Sequence, residues 1–448
     1  MPLYHQSAYE FSRPVPSYWE DTAAPLSFAP PRCSGAHMAD VAIVGGGYAG
    51  LTAALWLSRV HGMKVIILDA GRPGWGASGR NGGFCSAGAA KLSYEVMIRR
   101  HGIDETRTFH RALRDSVAHV RDFLSSEGVD ADATQGGDLR LAHKRSRIGP
   151  LREETAFMNA TFGLDQRFLT AGELAERGYC GPHFHAGLLD PEAFGLHPLK
   201  YLRGLAAATH RAGAIIFADS QVTQWRMTSG RHVLRTADAE ITADKVLLAT
   251  NGYTPEDVAP WVGGRLLPAL SRIMVTRKIS EGERSAQGWN SVAPAHDTRD
   301  LLHYFRLLPD GRFLFGGRGG IDASPDGMKR SQNALRASFE RLFPSWAHIE
   351  SDYAWSGFVC LTRPLTPYAG PLGDVENAFG AFAWHGNGVA MSGYTGRLMA
   401  NFIAGTKDAG EAIPAIMRRP LPRFALAPLR RLMLGAIYAA ADLRDNWG

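Results

Sequence analysis

Residues 40–83 read DVAIVGGGYAGLTAALWLSRVHGMKVIILDAGRPGWGASGRNGG. Asp40 to Val44 is a short apolar strand, and Gly45, Gly47 and Gly50 form a G-x-G-x-x-G turn with Tyr48 and Ala49 inside it. Leu51 to Arg59 is rich in Ala and Leu and reads as a helix. Lys64 to Leu68 reads as a second strand running into Asp69 and Ala70. Strand, glycine turn, helix and strand in this order are the context that a dinucleotide-binding fingerprint requires. Gly45 permits the tight turn, Gly47 lets backbone approach a pyrophosphate, and Gly50 lets the helix lie on the strand. The pyrophosphate would rest on the helix N-terminus, where unpaired N–H groups and the dipole favour an anion. Asp69, 19 residues past Gly50, stands where a carboxylate accepts from an adenosine ribose hydroxyl.

A second glycine-rich loop, Gly74 to Gly83, follows that acid directly. A nicotinamide cofactor needs no such loop, whereas the pyrophosphate and ribityl chain of FAD continue inward past the first turn. Gly76, Ala77, Ser78, Arg80, Asn81, Gly82 and Gly83 offer bare N–H groups, a hydroxyl, a guanidinium and an amide to them. On GWGASGRNGG and the later LLATNGYT (247–254), the chain resembles the D-amino-acid-oxidase (DAO) superfamily of flavoproteins. Glycine oxidase and sarcosine oxidase belong to it, and the motifs are most similar to the gamma-glutamylputrescine oxidase-like branch.

The resemblance implies an α/β fold: a Rossmann-like FAD-binding domain of the GR2 type, interleaved with an α+β substrate-binding domain built on an antiparallel sheet. The expected division is an N-terminal arm (1–38), an FAD-binding domain from 39–90, 190–255 and 352–407, and a substrate-binding domain from 91–189 and 256–351. A basic helical extension (408–448) follows. Val222 would meet the adenine, and Thr250, Asn251 and Gly252 would lie over the cofactor. Gly386, Asn387, Gly388, Val389 and Thr395 would approach the flavin, with Gly393 to Gly396 opening a helix from Arg397 to Ile403. A helix N-terminus there would stabilise negative charge on the reduced ring.

Composition narrows the function from the other side. The 448 residues are too many for one simple core, and 45 % hydrophobic with 21 % charged content is ordinary for a globular protein. A net charge of +6, spread along the chain, gives no block for nucleic acid. Cys33, Cys85, Cys180 and Cys360 are far apart and show no metal-ligand spacing, which points to reduced thiols in a cytoplasm. The first residues lack the apolar segment of a secretory signal, and no run suits a transmembrane helix.

Between the cofactor segments, helices are expected at 94–100, 106–125, 148–162, 198–212 and 332–343, from apolar residues at three- and four-residue spacing. Strands are expected at 138–142, 214–218, 272–276, 302–307 and 312–316. A small antiparallel excursion is expected from 233–236 and 240–243, then a separate strand at 245–249. The tail from Pro428 to Leu443 reads as a basic amphipathic helix, resting on the protein's own surface or touching a membrane.

By resemblance, bound FAD oxidises a C–N bond of a primary or secondary amine or amino acid. Hydride passes to flavin N5, the imine hydrolyses, and oxygen is reduced to hydrogen peroxide. Arg306 and Tyr304, alternate residues of one strand, could hold a substrate carboxylate, and Arg318 is similar. Arg363 follows W-S-G near the position of glycine oxidase's carboxylate-binding arginine, with five extra residues between. His385 precedes a glycine loop where relatives place a histidine beside the flavin. Cys360 lies in the segment through which sarcosine oxidase tethers its flavin, one residue out of register, so FAD is expected to be non-covalent. Other readings stay open: a dehydrogenase passing electrons to a quinone or protein at a membrane surface, a hydroxylase, or a non-catalytic flavin scaffold.

Overall fold

The computed structural model describes residues 3–447. Its first sheet grows from the fingerprint. The Gly35–Val44 strand pairs in parallel with Val65–Leu68 on one side and Ala239–Leu248 on the other. Ile215–Phe217 and Ala378–Phe382 extend the parallel array outward, and Tyr368–Pro371 closes one edge antiparallel. Strands covered on both faces need unbroken apolar sequence, and Val41 to Val44 and Val65 to Leu68 supply it, all buried. The hairpin Gln224–Thr228 and Arg231–Arg235 adds two strands to this sheet.

Three expectations are corrected in this sheet. The first strand begins at Gly35, five residues before the apolar run, because Gly35 to Ala39 pair with Ala239 to Ala243. Residues 240–243 and 245–249 form one strand, Ala239–Leu248, since the same partner strand runs beside both. The late helix starts at Gly388 and not at Arg397. Gly393 and Gly396 therefore lie inside it. A methyl group on Gly396 would come within 2.3 Å of the Ala49 carbonyl oxygen, so glycine here lets this helix press against Tyr48–Arg59.

The second sheet runs in the order Ser351–Thr362, Leu266–Thr276, Phe313–Arg318, Tyr304–Leu307, Ala295–Asp297, Asp138–Leu141, Ala186–Asp190, Arg167–Thr170. It is antiparallel except where Ala295–Asp297 meets Asp138–Leu141. Ser351–Thr362, expected to have returned to the first layer, pairs along Leu266–Thr276 and belongs here. Beneath this sheet Trp289, Phe305, Phe313, Phe343 and Trp346 form a buried aromatic cluster. Each such side chain contributes roughly 1.5–3 kcal/mol by leaving water. The expected helix at 332–343 begins earlier, at Pro325, where Ser324 caps it by accepting from the Gly327 N–H.

Five buried histidines set the response of this fold to acid. Burial holds His110, His119, His143 and His385 down to about 4, and His197 to about 3, against an ordinary 6.5. Between about pH 4 and 6.5 the unfolded chain binds more protons at these sites than the folded one, so stability rises with pH across that window. The contribution is fully present above pH 6.5 and is lost as pH falls. Each group is expected to cost about 2 kcal/mol by pH 4.5. Asp69 and Asp190, raised by burial, oppose this below neutrality. Melting temperature measured from pH 7.5 to 4.5 should fall steeply, and an unchanged value would contradict the assignment.

Candidate active site

The two sheets meet at one continuous cavity of about 1920 Å³. Small-molecule sites usually occupy roughly 300–1,000 Å³, so this one has room for a dinucleotide and a further ligand. At one end are Leu68, Asp69, Ala70 and Val222. Gly45, Gly47, Tyr48, Ala49, Ser78 and Arg80 follow along the wall. Asn251, Gly252, His385, Gly386 and Lys91 lie beyond, with Tyr304 and Arg318 from the second sheet.

The glycine turns are built so that side chains could not replace hydrogen. Gly45 has φ +108°, and a methyl group there would meet the Ala249 carbonyl oxygen at 2.9 Å. On Gly50 it would stand 2.0 Å from the Gly45 oxygen, and on Gly79 2.1 Å from the Gly74 oxygen. The second loop thus repeats the close backbone contact of the first. Helix Tyr48–Arg59 has no capping side chain on its N-cap Gly47, and helix Gly388–Ile403 has none on Asn387. Both N-termini open onto the cavity, the first where a pyrophosphate would lie, the second beside His385. Ser78 Oγ accepts from the Tyr48 N–H at 3.1 Å and ties the second loop to the first helix.

Asp69 is committed in part to its own backbone. Its Oδ2 accepts from the Gly46 N–H at 2.7 Å and its Oδ1 from Gly71 at 2.9 Å, leaving lone pairs for a ribose. Asn251, at φ +47°, accepts from the Ala383 N–H through Oδ1 and fixes the turn over the cavity. Arg80 donates to the Trp75 and Ser356 carbonyl oxygens and stacks on the Trp75 ring, so its guanidinium braces the loop. Asn81 spans the same loop, receiving the Gly83 N–H and donating to the Ser78 carbonyl.

His385 is 1 % exposed, and both its ring nitrogens are engaged. Nε2 accepts the Thr362 N–H at 3.2 Å, which makes Nδ1 the protonated nitrogen, donating to the Ala89 carbonyl oxygen at 3.0 Å. With its pKa held at about 4 by burial, the ring is neutral and has no proton to exchange near pH 7. It pins the 86–92 loop to the end of the Ser351–Thr362 strand.

The structure separates the expected arginines. Arg306 is 1 % exposed and lies outside the cavity. Its Nη2 donates to the Leu196 carbonyl oxygen at 2.5 Å, and its guanidinium sits over the Trp19 ring. Tyr304 does share its face, as alternation requires, yet the cavity ends before Arg306 is reached. Arg363 is exposed in the turn after Thr362 and does not line the cavity. Thr395 is fully buried inside the late helix, and Gly50 and Gly83 support the wall without lining it. Arg318 does reach the cavity: its Nη2 would lie 3.7 Å from a methyl group on Gly386.

Lys91 was not expected at all. Its ammonium opens into the cavity from the loop that His385 holds. The side chain itself is exposed to the cavity, and the protein walls around it, with the Arg318 and Arg140 charges, lower its pKa to about 7. Neither Lys91 nor Arg318 has a side-chain hydrogen bond or carboxylate partner among the described residues. No motif marks Lys91; only the third dimension places it. Tyr304 donates to the Arg272 carbonyl oxygen and shares a hydrogen bond with Ser271 Oγ, and burial lifts its hydroxyl to about 12. Cys360 lines the wall, but burial pushes its thiol up and suppresses the thiolate that a covalent tether needs.

The N-terminal arm is anchored by Trp19, whose Nε1 donates to the Asn81 carbonyl, and by Tyr4, whose hydroxyl donates to that of Pro268. Gln6, Tyr9 and Phe11 of the same arm also line the cavity.

Comparison with known proteins agrees with this fold. The family model described as DAO, FAD dependent oxidoreductase, matches residues 40–402. The chain is 32 % identical over 395 residues to a probable oxidoreductase OrdL of Rhizobium meliloti, covering 87 % of this chain and 89 % of the relative. It is 30 % identical over 411 residues to gamma-glutamylputrescine oxidoreductase of Escherichia coli, covering 91 % and 93 %. In fold it is similar to the crystal structure of glycine oxidase from Geobacillus kaustophilus, with TM-score 0.69 and 22 % identity, over 86 % of this chain and all of the other.

Proposed function

The chain belongs to the family of FAD-dependent oxidoreductases, and on that premise we propose that it oxidises the C–N bond of an amine that also carries a carboxylate. The observation that supports this reading is the pair of unpartnered cations, Lys91 and Arg318, facing the cavity beside His385 and Gly386. Two like charges without a counter-ion repel each other, and an anionic group between them relieves the repulsion. Gamma-glutamylputrescine and glycine, in the names of two relatives, are both amines, and amines of either kind belong to the proposed class.

The residues suited to hold the cofactor are those of the two glycine loops, Asp69, Val222, the 250–252 turn and the 386–389 helix start. FAD held there would supply the two-electron oxidation, with the imine product hydrolysing in water to a carbonyl compound and oxygen taking the electrons as hydrogen peroxide. The protein's part is placement and electrostatics. Arg318 and Lys91 fix the carboxylate, and the N-terminus of Gly388–Ile403 presents a positive dipole end to the cavity. At neutral pH His385 is a neutral ring too weakly basic to take up a proton and Tyr304 stays protonated, so the substrate must arrive with its amine already neutral or shed its proton to water.

Anaerobic addition of amino acids and of matched amines lacking a carboxylate tests the reading. The flavin's visible absorption is expected to bleach with a carboxylate-bearing amine and return on admission of air with peroxide formed. Bleaching by NAD(P)H alone would sink it. Acid precipitation should release the colour into the supernatant, as expected when Cys360 forms no bond to the flavin.

A further inference from the structure

The C-terminal helix, Arg430–Trp447, is turned inside out in its polarity. Arg430, Arg431 and Asp445 face the protein, while Asp442 and Arg444 are exposed. Arg430 pairs with Glu256 and donates to the Leu266 carbonyl oxygen at 3.0 Å. Asp445 accepts the Asp300 and Leu301 N–H groups at 2.9 and 3.0 Å, and Arg431 sits over the Tyr4 ring. Of its large apolar side chains among the described residues, Leu434 is the fully inward one, against Leu267 and Ala269.

The outer face is apolar. Leu432, Met433, Ile437 and Leu443 are 40–61 % exposed, and Leu426 and Leu429 just before the helix are 56 % and 48 % exposed. At 100° per residue, Leu432, Ala436, Ala440, Met433, Ile437 and Leu443 fall in one arc of roughly 140°. Arg444, paired with Asp300, is the one charge within that arc. Half of the exposed large hydrophobic residues among the described residues lie in this single segment, so they are a patch and not scattered exposure.

Charge identifies what covers it. Residues 415–448 carry six arginines against two aspartates. Arg423 stands beside Ala427 at the base of the helix, exposed and without a carboxylate partner among the described residues. An exposed apolar helix face with the unpaired cation Arg423 at its base fits a fluid anionic surface into which side chains sink individually. A second protein would instead need a groove of matching shape. We propose that this face is a docking surface for membranes rich in anionic lipid. Ala427, Pro428, Leu432 and Arg423 also line the cavity, so docking would bring its mouth to the headgroup layer.

Full-length flavin-loaded protein, mixed with vesicles of phosphatidylcholine alone or with phosphatidylglycerol added, tests this by co-sedimentation. At low salt the anionic vesicles should carry down roughly tenfold more protein, and the excess should shrink as salt rises. A variant with M433S, I437S and L443S should lose binding while keeping its flavin and melting temperature, since these side chains contact solvent and lie outside the cavity. R423E should lose most of the anionic preference. Equal and negligible recovery with both vesicles would overturn the proposal. So would a dimer in light scattering that the triple substitution dissociates, because the face would then belong to a second copy.

Discussion

Gly50→Val protein is expected to purify without flavin. A methyl group on Gly50 already comes within 2.0 Å of the Gly45 oxygen and 3.2 Å of Ile43 Cγ2. The first is a backbone atom of the turn itself, which cannot move without opening the fingerprint; valine adds two more carbons to the same space. Overpacking of this kind costs about 1–3 kcal/mol even where side chains can yield. Here the strain falls on the angle between the Gly35–Val44 strand and the Tyr48–Arg59 helix, whose N-terminus faces the cavity. FAD affinity should drop by at least roughly 100-fold, the equivalent of about 2.7 kcal/mol. Flavin absorption per protein, measured after gel filtration and after adding excess FAD, reads the effect directly. Gly282→Ala, in the helix Glu281–Gln287 where a methyl group meets nothing within 4 Å and φ is not positive, is the control substitution that should keep its flavin. If the Gly50 variant stays as yellow as the parent, the cofactor does not rest on this turn.

What the chain reveals before folding is its local chemistry. The fingerprint was legible because its glycines, strands and acid are consecutive, and the Ile148–Phe162 helix because its period is regular. Gly393 and Gly396 misled for a physical reason. Glycine in a helix looks like an opening, yet here it permits contact with the Ala49 backbone, a partner more than 340 residues away. The strand period placed Tyr304 and Arg306 on one face, but not where along that face the cavity stops. Opposite them, register puts Gly316 beside Tyr304 and Leu314 beside Arg306, so Arg318, beyond Gly316 on the neighbouring strand, reaches the cavity. Lys91 has no periodicity or motif, and its company is set by a loop held from Ala89 through His385. Long-range placement of this kind is absent from the linear pattern.

That placement makes Arg318→Met the sharpest test of substrate choice. Its guanidinium stands half-buried in the cavity with no protein anion to satisfy it, so its pairing energy is kept for a ligand. A charge-assisted hydrogen bond to a carboxylate is worth about 1.5–3 kcal/mol, and a bidentate pair more. The KM for a carboxylate-bearing amine should therefore rise roughly 100-fold, with kcat changed less than about threefold, since the contact is equal in ground and transition states. An amine without a carboxylate should be unaffected or improved. Arg318→Lys should recover only part of the loss, because an ammonium cannot form the two parallel hydrogen bonds. Lys91 adds a signature that does not depend on turnover. At pH 8 a lysine with a pKa near 7 is mostly neutral, and a carboxylate beside it favours the charged form. A small carboxylate without an amine should thus bind with net proton uptake, seen as buffer-dependent heat in calorimetry. Lys91→Met should abolish the uptake and weaken binding about tenfold, while Arg318→Met should weaken binding and leave the buffer dependence of what remains. Unchanged KM in both variants would move the carboxylate, and with it the substrate class, away from this corner of the cavity.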